Sequence, residues 1–273
     1  MATSAEVAGR WALVTGASSG LGVDFARELA RRGCHLVLVA RREERLRAVA
    51  DELRREHGVA VEVVAIDLAE RAAPETLHRR VGELGYAVDV LVNNAGLGVY
   101  GRFLNVPPER SQQILDVDVA ALVLLTRLFA GDMVERGFGR ILQVSSIGAF
   151  QPTPTYACYA AAKSFVLHFG EALHRELRGT GVSCTVICPG VSATEFFATA
   201  GQERTLYQRL YMMPSAAVAR AGIEAMLAGR AVVIPGFANR LNALLVRLLP
   251  GQTSAWLAHA MMRRDPFSRR RAG

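Results

Sequence analysis

Short runs of Val, Ile and Leu alternate along the chain with longer stretches whose apolar residues recur every three or four positions. The short runs predict strands at Trp11–Thr15, Leu36–Ala40, Val61–Ile66, Val88–Val92, Arg140–Ser145, Ser183–Cys188 and Ala231–Ile234. Little charge interrupts most of them, as expected of strands covered on both faces. The longer stretches predict helices over Leu21–Arg32, Glu43–His57, Pro74–Gly85, Glu109–Arg136, Tyr156–Arg178 and Ala216–Gly229. In the first, positions 21, 25, 26 and 29 form one apolar face. Strands alternating with helices predict an α/β fold, a doubly wound parallel sheet of about seven strands. A domain over residues 1–238 is expected, followed by a C-terminal helical extension over 239–273.

That extension reads differently. Asn239–Leu249 and Ser254–Arg264 predict two helices broken at Pro250-Gly251, the first with Leu241, Leu244, Leu245 and Leu248 on one face. Two readings stand: a helix packed on the core or on a second subunit, and a basic amphipathic helix lying on a membrane. The net charge is +7, and residues 263–271 alone carry five Arg against one Asp. The excess is concentrated in a tail rather than spread over a basic face of the domain, so a nucleic-acid partner is not expected. No apolar run has the length a membrane span needs, and the first ten residues lack the apolar core of a signal peptide. The expected location is the cytoplasm, with peripheral membrane contact through the C-terminal helices as the alternative. Cys34, Cys158, Cys184 and Cys188 lack metal or redox spacing and read as small core residues, so no metal site is expected.

The first predicted strand runs into Thr15-Gly16-Ala17-Ser18-Ser19-Gly20-Leu21-Gly22, followed by a helix. Glycines there let the backbone approach a pyrophosphate, and the helix start offers free N–H groups and positive potential. With this loop the chain resembles the short-chain dehydrogenase/reductase family, from about Trp11 to Pro235. The resemblance continues in Asn93-Asn94-Ala95-Gly96, in Asp67 and Leu68 after the third strand, and in Pro189-Gly190-x-x-x-Thr194 after the sixth. It implies a Rossmann-like fold and a dinucleotide cofactor held by Gly16, Ser18, Ser19, Gly20, Leu21 and Gly22. It further implies adenine beside Asp67 and Leu68, room made by Ala95 and Gly96, and nicotinamide held by Pro189, Gly190 and the Thr194 hydroxyl. By the same resemblance Asn93 and Asn94 mainly order the central strands.

The second strand ends in Val39-Ala40-Arg41-Arg42. An acid there would take the ribose 2′-hydroxyl of NAD, whereas the guanidinium of Arg41 suits a 2′-phosphate. The expected cofactor is NADP(H).

Tyr159-Ala160-Ala161-Ala162-Lys163 places a phenol and an ammonium four apart on one helix face. Lys163 is the chain's single lysine among 32 basic residues. A nearby cation favours phenolate, and bringing a tyrosine to near neutrality takes about 4 kcal/mol of differential stabilisation. The family pattern implies that Tyr159 protonates the substrate oxygen, Ser146 holds the carbonyl, and Lys163 also grips the nicotinamide ribose. Ser145 would face the other way and reads as structural. One position departs: Asp118 stands where the family usually has Asn, whose backbone carbonyl helps to hold a relay water. A backbone role survives that change, but the anionic side chain can pair with Lys163 and alter the pH profile.

Phe196, Phe197, Leu206, Tyr207, Leu210, Tyr211, Met212 and Met213 fall where this fold carries its substrate lid. They point to a hydrophobic ketone or aldehyde, or its alcohol. A homodimer or homotetramer through the long helices is expected. The competing reading is a catalytically weak NADP(H)-binding sensor or scaffold on the same fold.

Overall fold

The computed structural model describes residues 6–191, 200 and 212–261. Among them seven strands form one sheet: β1 (Trp11–Thr15), β2 (His35–Ala40), β3 (Val61–Ala65), β4 (Val88–Asn93), β5 (Gly139–Val144), β6 (Val182–Ile187) and β7 (Val232–Val233). Their order is β3-β2-β1-β4-β5-β6-β7, and every pairing is parallel. The helices are α1 (Leu21–Ala30), α2 (Glu43–His57), α3 (Ala73–Glu83), α4 (Pro108–Leu115), α5 (Leu122–Glu135), α6 (Ala157–Glu176), α7 (Ser215–Leu227), α8 (Phe237–Leu248) and α9 (Gly251–Met261). This is the Rossmann-like α/β sheet with a C-terminal helical extension.

Side-chain alternation sends each strand into two cores. Ala12, Val14, Leu36, Leu38, Leu142 and Val144 meet Phe25 and Leu29 of α1 and Val218 and Ala219 of α7. Leu13, Val37, Val39 and Ile141 point the other way, towards Leu77 of α3 and Leu125, Phe129 and Met133 of α5. Each fully buried Leu or Phe is worth about 1.5–3 kcal/mol, so a strand slipped by one residue would forfeit both cores at once. Cys34 and Cys184 lie in these cores and Cys188 in a smaller cluster with Ala149, Leu167 and Val186, and burial pushes their thiols up to about 12.

The chain winds outward from β1 to β3, then returns to β4 and winds the other way. The reversal lies between β1 and β4, where a crevice opens outside the strands' carboxyl ends.

Most element ends fall within about two residues of the sequence reading, and two features depart further. The helix expected over Glu109–Arg136 is not uniformly α-helical: a π-helical turn, Asp116–Ala121, joins α4 to α5. Its wider winding leaves no hydropathy signature, because the neighbouring residues keep ordinary helical composition. In the extension, Leu249 is extended, as a residue before proline prefers, but Gly251 opens α9 instead of lying in the break.

Candidate active site

β5 stops at Val144, and Ser145 and Ser146 carry the chain over the sheet edge. The Ser145 N–H donates to Ile187 and the Ile147 N–H to Pro189, at 2.8 and 2.7 Å, so the loops after β5 and β6 remain zipped together. Ser146 caps the short 3₁₀ turn Ile147–Phe150, its Oγ accepting from the Gly148 N–H at 3.1 Å. Ser145 Oγ donates to the Lys163 carbonyl at 2.7 Å and ties α6 to the strand end. Its role is structural.

α6 carries Tyr159 in its first turn and Lys163 one turn later. Lys163 is buried. Its Nζ donates to the Val144 carbonyl at 3.0 Å, lies 3.0 Å from Asp118 Oδ2, and sits 5.7 Å from the centre of the Tyr159 ring. Asp118 is fully buried in the π-helical turn, and its Oδ1 accepts the Leu97 N–H at 2.7 Å. Gly96 packs on this ion pair so closely that a Cβ would stand 3.0 Å from both Asp118 Oδ2 and Lys163 Nζ.

Burial raises Tyr159 above the ordinary tyrosine range; Lys163 and a hydrogen bond with Ser146 oppose it, and Asp118 adds to it. Lys163 thus acts on the phenol in the expected direction, but burial outweighs it. Burial pulls Lys163 down, yet Asp118, followed by Tyr159, raises it above the usual lysine range. Asp118 is itself raised by burial, against the pull of Lys163 and the Leu97 N–H. An ammonium held so firmly by a carboxylate has less field left for the phenol.

The second cluster lies at the switch point. Gly22 is a required glycine, because a Cβ there would fall 2.2 Å from the Gly16 carbonyl oxygen. Gly16, Ser18, Ser19, Gly20 and Leu21 complete the cradle at the start of α1. Asn94 Nδ2 donates to the Thr15 carbonyl at 2.8 Å, and Thr15 Oγ1 accepts the N–H groups of Asn94 and Ala95, both at 2.9 Å. Asn93 turns inward and donates to Thr126 and Gln143. Arg41 is largely exposed, 3.6 Å from Asp67, while Leu68 belongs to the core. Gly190 packs against Asn239 of α8. Thr194 lies outside the described residues, as do Phe196, Phe197, Leu206, Tyr207, Leu210 and Tyr211 of the lid.

Several participants escaped the sequence reading. Arg42 reaches the glycine loop, its Nη2 donating to Ser19 Oγ at 2.7 Å and to Ser18 Oγ at 3.2 Å. Only its place beside Arg41 hinted at this. Tyr156 stands edge-on to Tyr159 at 5.8 Å and 5.5 Å from Tyr100, giving the site an aromatic wall. Thr155, just before α6, has φ +71°, the one positive value outside glycine among the described residues. Backbone strain of this kind collects at functional sites.

A family model described as short chain dehydrogenase matches residues 10–205. The very-long-chain 3-oxoacyl-CoA reductase of Anas platyrhynchos is 36% identical over 193 residues, covering 68% of this chain and 61% of that protein. The chain thus spans less than two thirds of that relative's length. Among solved structures, a Sphingobium yanoikuyae short-chain dehydrogenase in complex with NADPH superposes with a TM-score of 0.79 at 33% identity, covering 86% of this chain and 92% of that one. A short chain dehydrogenase/reductase from Burkholderia phymatum in complex with NAD gives a TM-score of 0.80 at 26% identity over 96% of this chain and 99% of that one. The chain belongs to the short-chain dehydrogenase/reductase family.

Proposed function

We propose that this protein interconverts a hydrophobic ketone or aldehyde and its alcohol with NADP(H), using Tyr159 as general acid and base. The observation that carries this reading is the meeting of Ser146, Tyr159 and buried Lys163 at the carboxyl edge of the sheet, beside the glycine cradle.

The donor set fits a dinucleotide. The cradle a Cβ would fill between Gly16 and Gly22, the N–H groups opening α1, and the hydroxyls of Ser18 and Ser19 suit a pyrophosphate. Arg41 and Arg42, with no carboxylate at the end of β2, suit a 2′-phosphate. Asp67 and Leu68 would border the adenine. Ala95, Pro189, Gly190 and Thr194 would border the nicotinamide. When bound, the cofactor supplies or accepts the hydride. In reduction, the Tyr159 hydroxyl gives its proton to the carbonyl oxygen while Ser146 donates a hydrogen bond to the same oxygen. Lys163 then stabilises the phenolate until it is reprotonated, and in oxidation the proton moves the other way.

The aromatic wall and the large apolar residues after Thr194 support a hydrophobic substrate, and the Anas platyrhynchos relative is named for a very long acyl chain. The four free thiols of this chain suit the cytoplasm. Phe165 of α6 and Leu115 and Val134 of the α4–α5 stretch, all exposed, support a homodimer or homotetramer through these helices.

A second reading, a catalytically weak NADP(H) sensor or scaffold, is favoured by one observation: Asp118 ties up the Lys163 charge. NADPH consumption across hydrophobic ketones and aldehydes decides between them. Turnover should appear with the parent chain and fall by about a thousandfold in Tyr159→Phe. Tight NADPH binding with no turnover in either direction would select the sensor.

A further inference from the structure

We propose that the outer face of α8 and α9 docks this protein on an anionic lipid surface. α8 is amphipathic in an unusual sense. Its inner face is satisfied, with Asn239, Ala243 and Val246 buried and Asn239 Nδ2 donating to the Pro235 carbonyl at 2.8 Å. Its outer face is apolar too. Phe237, Leu241, Leu244, Leu245 and Leu248 recur at helical spacing on one side, and all are exposed, Phe237 at 81% and Leu248 at 75%. Trp256 of α9 is 69% exposed. A helix face of large apolar side chains left exposed in this way marks a surface that meets a partner.

The charge around the stripe selects that partner. From Ala231 to Arg264 the sequence has no Asp or Glu, and from Ala231 to Gly273 it has seven Arg against one Asp. That segment therefore holds six of the chain's seven net positive charges. A two-fold pairing of copies would set this face against itself and bring together the Arg240 and Arg247 of each subunit, in a segment whose sequence offers no carboxylate to offset them. Anionic headgroups supply the missing negative charge, the acyl region takes the leucines, and a tryptophan suits the boundary between them.

The same helix touches the candidate reaction site. Arg247 stacks on Phe150 at 5.0 Å, and Phe150 closes the turn that Ser146 opens. Asn239 packs on Gly190 and contacts Met213 at the foot of the lid segment. Docking on this face brings the bilayer close to the site of a lipophilic substrate, although the docking itself does not depend on the redox reading.

The test is flotation of the full chain with vesicles of phosphatidylcholine containing a minority of phosphatidylglycerol, and with vesicles of phosphatidylcholine alone. The parent should float with the anionic vesicles, with a blue-shifted tryptophan emission, and high salt should weaken the binding. Leu244→Glu/Leu248→Glu should lower the floated fraction at least about tenfold. The variant's melting temperature and its turnover of a water-soluble ketone, where the parent shows any, should match the parent's. A parent that stays at the bottom of the gradient overturns the proposal, as does a double variant that floats equally well. If the parent does not float and the double variant falls to a smaller solution mass, the face belongs to a second copy.

Discussion

Asp118 is an anion placed where the reaction site has most use for a cation's free field. It lies 3.0 Å from Lys163, fully buried, with one carboxylate oxygen committed to the Leu97 N–H. Tyr159 is held above the ordinary tyrosine range by burial and by this carboxylate. In the proposed reaction oxidation needs the phenolate and reduction the phenol, so alcohol oxidation should climb with pH on the alkaline side of neutrality. Reduction should stay level through neutrality and fall over the same alkaline range. Asp118→Asn removes a charge that raises Tyr159, so the acid limb of oxidation should move to lower pH. Unchanged pH–rate curves for parent and variant would refute this role. The variant also strands the Lys163 ammonium, and denaturant titration should show a loss of about 3 kcal/mol or more. A second residue-scale prediction concerns the cofactor. Arg41→Asp should cut the preference for NADPH over NADH by roughly ten- to a hundredfold, the worth of one charge-assisted contact of about 1.5–3 kcal/mol, read from kcat/KM with each. An unchanged ratio would shift the 2′-phosphate role to Arg42. Tyr159 and Lys163 were legible in the sequence because four-residue spacing on a helix fixes a shared face. The pairing of the Asp118 side chain with Lys163 was anticipated there as well, and the two lie 3.0 Å apart. The reach of Arg42 was missed, since two adjacent arginines look alike until the backbone aims them.

At the scale of elements, the strands were legible to within a residue or two, because runs buried on both faces have little freedom of composition. Helix ends were less so, since the first and last turns spend part of their hydrogen bonding outside the helix. The π-helical turn was invisible for a different reason. It changes winding without changing which residues are apolar, yet it is the element that carries Asp118 inward to Lys163. A distortion that costs regular hydrogen bonding and delivers a side chain to a reaction site fits the usual placement of such turns. The C-terminal helices were legible as helices but not in their orientation. Periodicity revealed an apolar face on α8, and only the fold could reveal that this face points outward while Asn239, Ala243 and Val246 anchor the helix.

For the whole molecule, alternating strands and helices were enough to expect a doubly wound sheet, but not the order of its strands. That order depends on where the chain reverses, and each buried strand carries much the same Val and Leu content whichever neighbour it has. The reversal between β1 and β4 is what brings the glycine loop, at the start of the chain, beside Asn94 and Ala95, some 80 residues later. No helix among the described residues is long and apolar enough to cross a membrane. The isolation of Lys163 has a practical consequence at this scale. Apart from the chain's own terminal amine, Lys163 carries its only primary amine, and that amine is sealed beneath Gly96 and paired with Asp118. An amine-reactive ester should therefore leave position 163 unmodified in the folded protein and add a single mass increment there once the structure opens. Each such increment marks a molecule in which this site has opened, so a mass spectrometer can follow the opening of that single site with no mutation or substrate.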